Sequence, residues 1–432
     1  MNPELKRNVW LDSTPFRQVI IPAAVSLFLY LAFALSEKSL GASSMAIISV
    51  LTFMVIMIFW GARSVSDSMM DEINQHTWDF QRMSAMGAWS MTWGKLVGSS
   101  LYPWFPASIA LCVYIVSAWQ LVPAVFLVKT SIILFAIAIF SLGFSLLNTL
   151  FILRKTNKSS SRQTNSINLV LGIYLLAVMY PLLNNFTSRN QEWYGEMYSF
   201  IDFALYTSLV FTAWVIIAVY RLMRQELQYQ NSPLVWLIFI GFQLVYWSGF
   251  NFVYNANPTL AILFMSLILT WFGLYFSDNH LTTLRRFTLS VSNKQWLSAW
   301  RYTPLWCVSY VIFFASAVTF ITYNTQTNAV VFAMSCLFFM LRDISIVLFF
   351  NINKRHGKTD SSALIITLIL YLLLPPILQL MNAESLLFMF IPGEIIDAPS
   401  QNWAHILPAL LQALIMWILV IRSYRKQWQI AH

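Results

Sequence analysis

Two stretches of this sequence bring charged residues close enough together to do chemistry. The first runs from Arg63 to about Leu96 and holds Asp67, Asp71, Glu72 and Asp79 with Thr77, Arg82, Ser84 and, at its end, Gly94-Lys95. It reads either as a short helix organised by capping and by pairing with Arg82, or as a solvated loop face of the same composition. The second is Arg342-Asp343, which falls well inside an apolar run from Val330 to Phe350. Charge at such a depth is expensive and is kept where it is paired or faces an aqueous path. Adjacent helical positions point about 100° apart, so the two side chains are expected to reach different neighbours or a shared water-filled cleft. Gating, substrate contact and a structural ion-pair network all fit that pattern.

Other chemistries lack their residues. Gly87 to Lys95 reads G-x6-G-K followed by Leu96, whereas a phosphate loop needs G-x4-G-K-[ST] after a buried strand. A helix boundary is the expectation there, with no nucleotide site in this chain. The histidines His76, His280, His356, His405 and His432 are scattered, and Cys112, Cys307 and Cys336 all lie in apolar runs. No metal centre, cofactor, disulfide framework or hydrolytic site is expected. The surplus of 26 Lys+Arg over 17 Asp+Glu is spread over loops instead of one soluble face, which argues against nucleic acid.

The elements that position these residues follow from composition. Of 432 residues, 58% are hydrophobic and 10% charged, against about 25% charged in soluble domains. The chain reads as an all-α polytopic membrane protein. Long apolar runs suggest about twelve crossings: Val19 to Leu35, Met45 to Trp60, Val97 to Trp119, Val125 to Leu153, Ile167 to Leu183, Ile201 to Tyr220, Leu234 to Val253, Leu260 to Phe276, Leu305 to Tyr323, Val330 to Phe350, Ala363 to Leu380 and Ile406 to Ile421. None alternates with a period of two, which excludes a barrel. With a cytoplasmic amino terminus, all basic residues except Lys38, Arg189, Lys129 and Arg342 fall in inner segments. That bias predicts a multi-pass protein of the cytoplasmic (inner) membrane with both termini cytoplasmic. The first run reads as an uncleaved anchor, and Lys129, near the outer end of the fourth, is expected to snorkel to the headgroups.

The plan repeats. Thr14-Pro15 opens the first run and Ser232-Pro233 the seventh; a long inner loop follows both the second run and the eighth. The first loop contains QRMSAMG from Gln81, the second RRFTLSV from Arg285, and RLMRQELQ from Arg221 matches RSYRKQWQ from Arg422. Matches in the same order at an almost constant offset predict two parallel six-helix halves, 1–226 and 227–432, with amphipathic cytoplasmic coupling helices in the long loops.

The stretch DEINQHTWDFQRMSAMGAWSMTWGK, Asp71 to Lys95, resembles the region between the second and third helices of ATP-binding-cassette permeases of the second type. An acidic pair, a Thr, a Leu/Gln-Arg-Ser/Thr element and a Gly-Lys at the next helix recur there. The resemblance extends to an amphipathic amino-terminal helix, Glu4 to Asp12, and to partly apolar outer segments, Asn184 to Phe200 and Met381 to Ala404, the second suggesting a re-entrant turn. It implies the membrane subunit of an ABC exporter, coupled through Asp71, Glu72, Thr77, Arg82, Ser84, Gly94 and Lys95, and through Arg285, Arg286 and Thr288 in the second loop. It also implies a partner: two copies of a cytoplasmic ABC ATPase carrying ATP and Mg, with the fused halves replacing a permease dimer. The second half has no counterpart of Asp71-Glu72 or Gly94-Lys95, so unequal contacts are expected. A charge-poor, aromatic-rich interior suggests an amphipathic or lipid-like substrate. The alternatives are an ion-coupled secondary transporter, for which Asp343 is the available acid, and a non-transporting membrane assembly factor.

Overall fold

The computed structural model describes residues 15–39, 41–84, 86–156, 168–169, 172–173, 175, 190–250, 258–277, 279, 281–353, 359–392 and 403–430. It divides into two compact units, Met1–Glu192 with Glu196–Asn231, and Trp193–Gly195 with Ser232–His432. Each unit has its own buried apolar cluster, the first around Met57, Leu146 and Val219, the second around Phe313, Ala333 and Val347. Among the described residues nine helices are long and apolar enough to cross a membrane, and Val19–Leu35 and Leu234–Ser248 are shorter apolar helices. This is an all-α membrane architecture, as composition requires. Bulky apolar side chains such as Val116, Leu372 and Leu380 remain exposed on the helices, as a lipid solvent allows.

In the first unit α1 (Pro15–Ser39) is followed by α2 (Gly41–Val55), which runs through a π-helical segment, Ile56–Gly61, into α3 (Ala62–Asn74). The apolar helix Ser44–Asn74 is about 46 Å long at 1.5 Å per residue. A bilayer core is about 30 Å thick, so the last turns of α3 project beyond it. The short α4 (Thr77–Arg82) and α5 (Ala88–Gly98) follow, then the spans α6 (Leu101–Ala118) and α7 (Ala124–Thr156). Strands β1 (Asn190–Trp193) and β2 (Glu196–Ser199) form a hairpin ahead of α8 (Phe200–Glu226). Its turn puts both Tyr194 (φ 52°) and Gly195 (φ 79°) in the left-handed region, the conformation a two-residue hairpin turn requires. This small sheet stands in the stretch read from sequence as a partly apolar outer segment.

The π-helical break explains how α3 and α7 meet. A π turn displaces carbonyls from the regular ladder, and hydroxyls on α7 donate to carbonyls at and just beyond the break. Ser141 Oγ donates to Ile58 O at 3.4 Å and Ser145 Oγ to Ala62 O at 2.5 Å. Thr149 Oγ1 donates to Ser66 Oγ at 3.3 Å, and Asn168 Nδ2 to Ser145 Oγ at 2.8 Å. Small polar residues every fourth position thus make one face of α7, and each buried donor has an acceptor.

α7 and α8 run parallel and in register. Lys129 meets Asp202 near their starts, Thr212 Oγ1 donates to Ala136 O at 2.8 Å midway, and Arg154 meets Glu226 near their ends. Gly143 allows the close approach, since a Cβ there would lie 2.6 Å from Val215 Cγ1. Lys129, expected to snorkel to lipid headgroups, instead pairs with Asp202, because the parallel alignment brings a carboxylate in the first turn of α8 within reach.

The second unit continues with α9 (Leu234–Ser248) and α10 (Pro258–Phe276), the helical hairpin α11 (Leu281–Ser292) and α12 (Trp296–Tyr302), then α13 (Leu305–Tyr323) and α14 (Thr327–Ile352). A further helix is broken in the middle: α15 (Thr359–Leu368), a π-helical segment Ile369–Leu373, and α16 (Leu374–Leu380). A 3-10 turn, Glu384–Met389, and another, Trp403–Ile406, precede α17 (Leu407–Ile430). Asn353 Nδ2 donates to Ser423 Oγ at 3.0 Å and Arg342 Nη1 to Gln412 Oε1 at 2.8 Å, so α14 and α17 are also parallel and in register. The amino-terminal segment Glu4 to Asp12 and most of the run Ile167 to Leu183 lie outside the described residues.

Candidate functional site

At the end of the first unit, Glu72 in the last turn of α3 pairs with Lys95 on α5. The Lys95 side chain is 1% exposed and that of Glu72 10%, so burial leaves each charge dependent on the other. The Lys95 ammonium also sits 5.5 Å from the centre of the Trp78 ring on α4. The chain turns between α3 and α4 at His76, which adopts a left-handed conformation (φ 58°). Thr77 Oγ1 donates to Glu72 O at 3.1 Å across that turn. Asp71 faces outward, exposed. Gly94 is buried beside Lys95, and Ser84 closes α4 by donating from Oγ to Gln81 O at 2.6 Å.

Arg82 ties α4 to the end of α8. Its Nε donates to Glu226 O at 3.0 Å, while Nη1 lies 3.5 Å from Asp79. Arg154 reaches the same corner from α7: Nε donates to Glu226 Oε1 at 2.6 Å, Nη2 to Leu222 O at 3.2 Å, and Nη1 bonds Gln225. Trp89 on α5 packs edge to face on Tyr220 of α8, ring centres 5.5 Å apart. Four helices and the short α4 are thereby locked at one end by charge-assisted bonds. Of the loop residues singled out in the sequence, Glu72, Thr77, Arg82 and Lys95 take part. Arg154, Glu226 and Trp78 complete the lock; Trp78 and Glu226 lie inside stretches already noted, Asp71 to Lys95 and RLMRQELQ from Arg221, but nothing in the sequence singles out these side chains.

The corresponding end of the second unit is built differently. Arg285 on α11 donates from Nη2 to Gln427 O at 2.6 Å, in the last turns of α17. Thr288 Oγ1 and the Tyr424 hydroxyl are hydrogen-bonded at 2.8 Å, and the Arg286 guanidinium lies 6.0 Å from the Tyr302 ring centre. In each unit, then, an arginine on a short helix donates to a carbonyl near the carboxyl end of a long one, where the helix dipole favours a cation.

Arg342 and Asp343 lie on α14, about 15 Å along the axis from Ile352 and about 23 Å from Thr327. Their side chains are 2% and 1% exposed. Contrary to the expectation from helical geometry, they do bond one another, Arg342 Nε donating to Asp343 Oδ1 at 2.9 Å. The long arginine side chain curls back over its own helix, so the angular offset at Cα does not prevent contact. Each also reaches a second partner: Nη1 donates to Gln412 Oε1 on α17, and the Tyr371 hydroxyl donates to Asp343 Oδ2 at 2.6 Å. The guanidinium carbon lies 4.7 Å from the Phe339 ring centre and 5.1 Å from that of Tyr371. Gln412 Nε2 in turn donates to Met389 O at 2.9 Å, which links the 3-10 turn to the cluster. Tyr371 comes from the π-helical segment, so two irregular backbone segments converge on one buried ion pair. Sequence reasoning missed Tyr371 and Gln412, although Gln412 is a lone amide in its apolar run and Tyr371 one of three polar residues, with Thr367 and Gln379, in another.

Comparison of the chain with protein-family models, with curated proteins and with solved structures gives no match. Function therefore rests on what these two sites can do. Among the described residues no group of three His, Cys, Asp or Glu side chains could hold a metal ion. The first site can transmit a displacement of α4 to α3, α5, α7 and α8 together. The second can hold or exchange charge between four segments in the middle of a span.

Proposed function

We propose that the chain is the membrane-spanning permease subunit of an ATP-driven ABC exporter, with two parallel six-helix halves fused in one polypeptide. It moves an amphipathic or lipid-like substrate with energy from two copies of a separate cytoplasmic ABC ATPase, which carries the ATP and Mg. The observation that carries this reading is the ionic lock that joins α4 to the ends of the long helices of the first unit. A coupling helix needs such a rigid seat, because a push from outside the membrane must tilt the spans instead of bending a loop. The repeat is supported by the parallel pairs α7 with α8 and α14 with α17, and by the matched bonds Arg82 to Glu226 O and Arg285 to Gln427 O. Parallel neighbours need a return crossing between them: α15 to α16 supplies it in the second unit, and the run Ile167 to Leu183, helical where described, has the composition for it in the first. The positive-inside pattern supports an inner-membrane location with both termini cytoplasmic.

Purification from the native host in mild detergent should bring down an ATPase whose turnover rises with substrate. Isolation without an ATPase, together with proton-driven transport, would instead support an ion-coupled secondary transporter. Asp343, held among Arg342, Tyr371 and Gln412 in mid-span, is the observation that favours this second reading. An Asp343→Asn protein that folds and still transports against a proton gradient would remove it.

A further inference from the structure

Leu281 to Tyr302 forms a helical hairpin whose tip, Val291 to Leu297, is exposed throughout. Lys294 turns the chain with φ 55°, and Gln295 N–H donates to Ser290 O at 2.9 Å. The exposed apolar side chains at this tip are large: Trp296 is 69% and Leu297 81% exposed, with Leu289, Val291 and Trp300 beside them. Around them are the exposed cations Arg286, Lys294 and Arg301. No acidic residue occurs between Asp278 and Asp343. The surface is thus cationic, aromatic and free of compensating charge.

The hairpin is tethered closely to the span that follows it. Only Thr303 and Pro304 separate α12 from α13, and the turn is kept tight by Thr303 N–H donating to Trp300 O at 3.4 Å and Thr303 Oγ1 to Ala299 O at 2.8 Å. Even fully extended, that link reaches no more than about 11 Å. The headgroup region of each leaflet extends roughly 5–7 Å beyond the hydrocarbon. Trp300 stands two residues before the end of α12, and Trp296 and Leu297 at its far end, about 9 Å from Tyr302 along the axis; with α12 lying along the interface all three reach the level where the indole ring, apolar in body with one polar N–H, is most at home.

We propose that the α11–α12 hairpin is an anionic-lipid-binding element: Trp296, Leu297 and Trp300 enter the edge of the leaflet, and Arg286, Lys294 and Arg301 engage acidic headgroups above them. A water-soluble protein partner is the poorer occupant, because the cations of the hairpin have no acidic neighbour on it and Trp296 and Leu297 lie one short helix and a two-residue link from a span's end. The proposal does not rest on the transport reading and departs from it at this hairpin, where that reading would seat a second ATPase copy on Arg285, Arg286 and Thr288; such a partner would shield position 297 from both reagents used below.

The test uses the full chain with Cys112, Cys307 and Cys336 replaced by serine, nitroxide-labelled at Leu297→Cys or at Phe80→Cys, in vesicles of phosphatidylcholine with and without phosphatidylglycerol. The label at position 297 should be relaxed by oxygen more than by a water-soluble nickel chelate, and phosphatidylglycerol should widen that ratio. At position 80, on α4, the order should reverse. The combined substitution Arg286→Gln, Lys294→Gln and Arg301→Gln alters exposed side chains only and should abolish the phosphatidylglycerol effect, each cation being worth about five-fold in lipid partition. High salt should weaken the effect in the unsubstituted chain. Nickel access at 297 in both vesicles, shielding from both reagents as a protein partner would give, or indifference to phosphatidylglycerol would each overturn the proposal.

Discussion

The buried ion pair of the first unit, Glu72 with Lys95, closes the end of its helices and joins segments close together in the chain. That of the second, Arg342 with Asp343, sits in the middle of a span and draws in Tyr371 and Gln412 from segments far along it. The connecting segments differ in the same sense. Residues 62–98 carry acids as well as bases, whereas α11 and α12 have no acid, and α11 is tied to the last turns of α17 through Arg285 and Thr288. The difference teaches that two units whose long helices pair in the same parallel way need not share their chemistry. One unit buries its ion pair at the end of its helices, and the other buries it in mid-helix.

The comparison can be broken first at the mid-span pair. Arg342→Met leaves Asp343 buried without its cation and should cost about 3–5 kcal/mol of stability. Thermal unfolding and size-exclusion yield in detergent would report it, and adding Asp343→Leu should restore much of the loss. Lys95→Met should cost less, about 2–3 kcal/mol, because Glu72 lies at the rim where its carboxylate can turn to water. A loss equal to that of Arg342→Met would mean that the two pairs are buried alike.

If the chain couples to an ATPase as proposed, a smaller effect separates the two loops. Glu72→Ala with Arg82→Ala should reduce ATPase association or stimulation more than Arg286→Ala with Thr288→Ala, measured by copurification and phosphate release. Equal losses would contradict the asymmetry. Smallest of all, Arg82→Gln and Arg285→Gln should each lower stability by about 1 kcal/mol, since both remove a donor to a carbonyl near a helix end. A large difference between them would show that the matched bonds are alike in geometry only.

Much of this was legible in the sequence, for identifiable reasons. Apolar length fixes the spans, so Pro258–Phe276, Leu305–Tyr323 and Thr327–Ile352 follow the runs read from composition. Arg342 and Asp343 stand out because charge is rare there, and Glu72, Arg82 and Lys95 because the loop is rich in polar residues. What could not be read was partnership at a distance. Lys129 finds Asp202, and Arg154 finds Glu226, only because α7 and α8 turn out parallel and in register. Nor do Ile56–Gly61 and Ile369–Leu373 differ in composition from their neighbours, so no pattern marks the π-helical turns that free the Ile58 carbonyl and deliver Tyr371. The NQEW and EMYS strands were too short and too polar to show against so much helix.

The two ion pairs that join α7 to α8 lie roughly 37 Å apart along the axis, one near each end. Sliding one helix past the other by a single turn, about 5.4 Å, would break both together and would also pull Thr212 from the Ala136 carbonyl. Tilting the two as one body breaks none of these bonds. α7 and α8 are therefore bolted together at both ends like one beam, so that a rotation of the pair about a point between the bolts would carry the Glu226 corner and Lys129 in opposite senses.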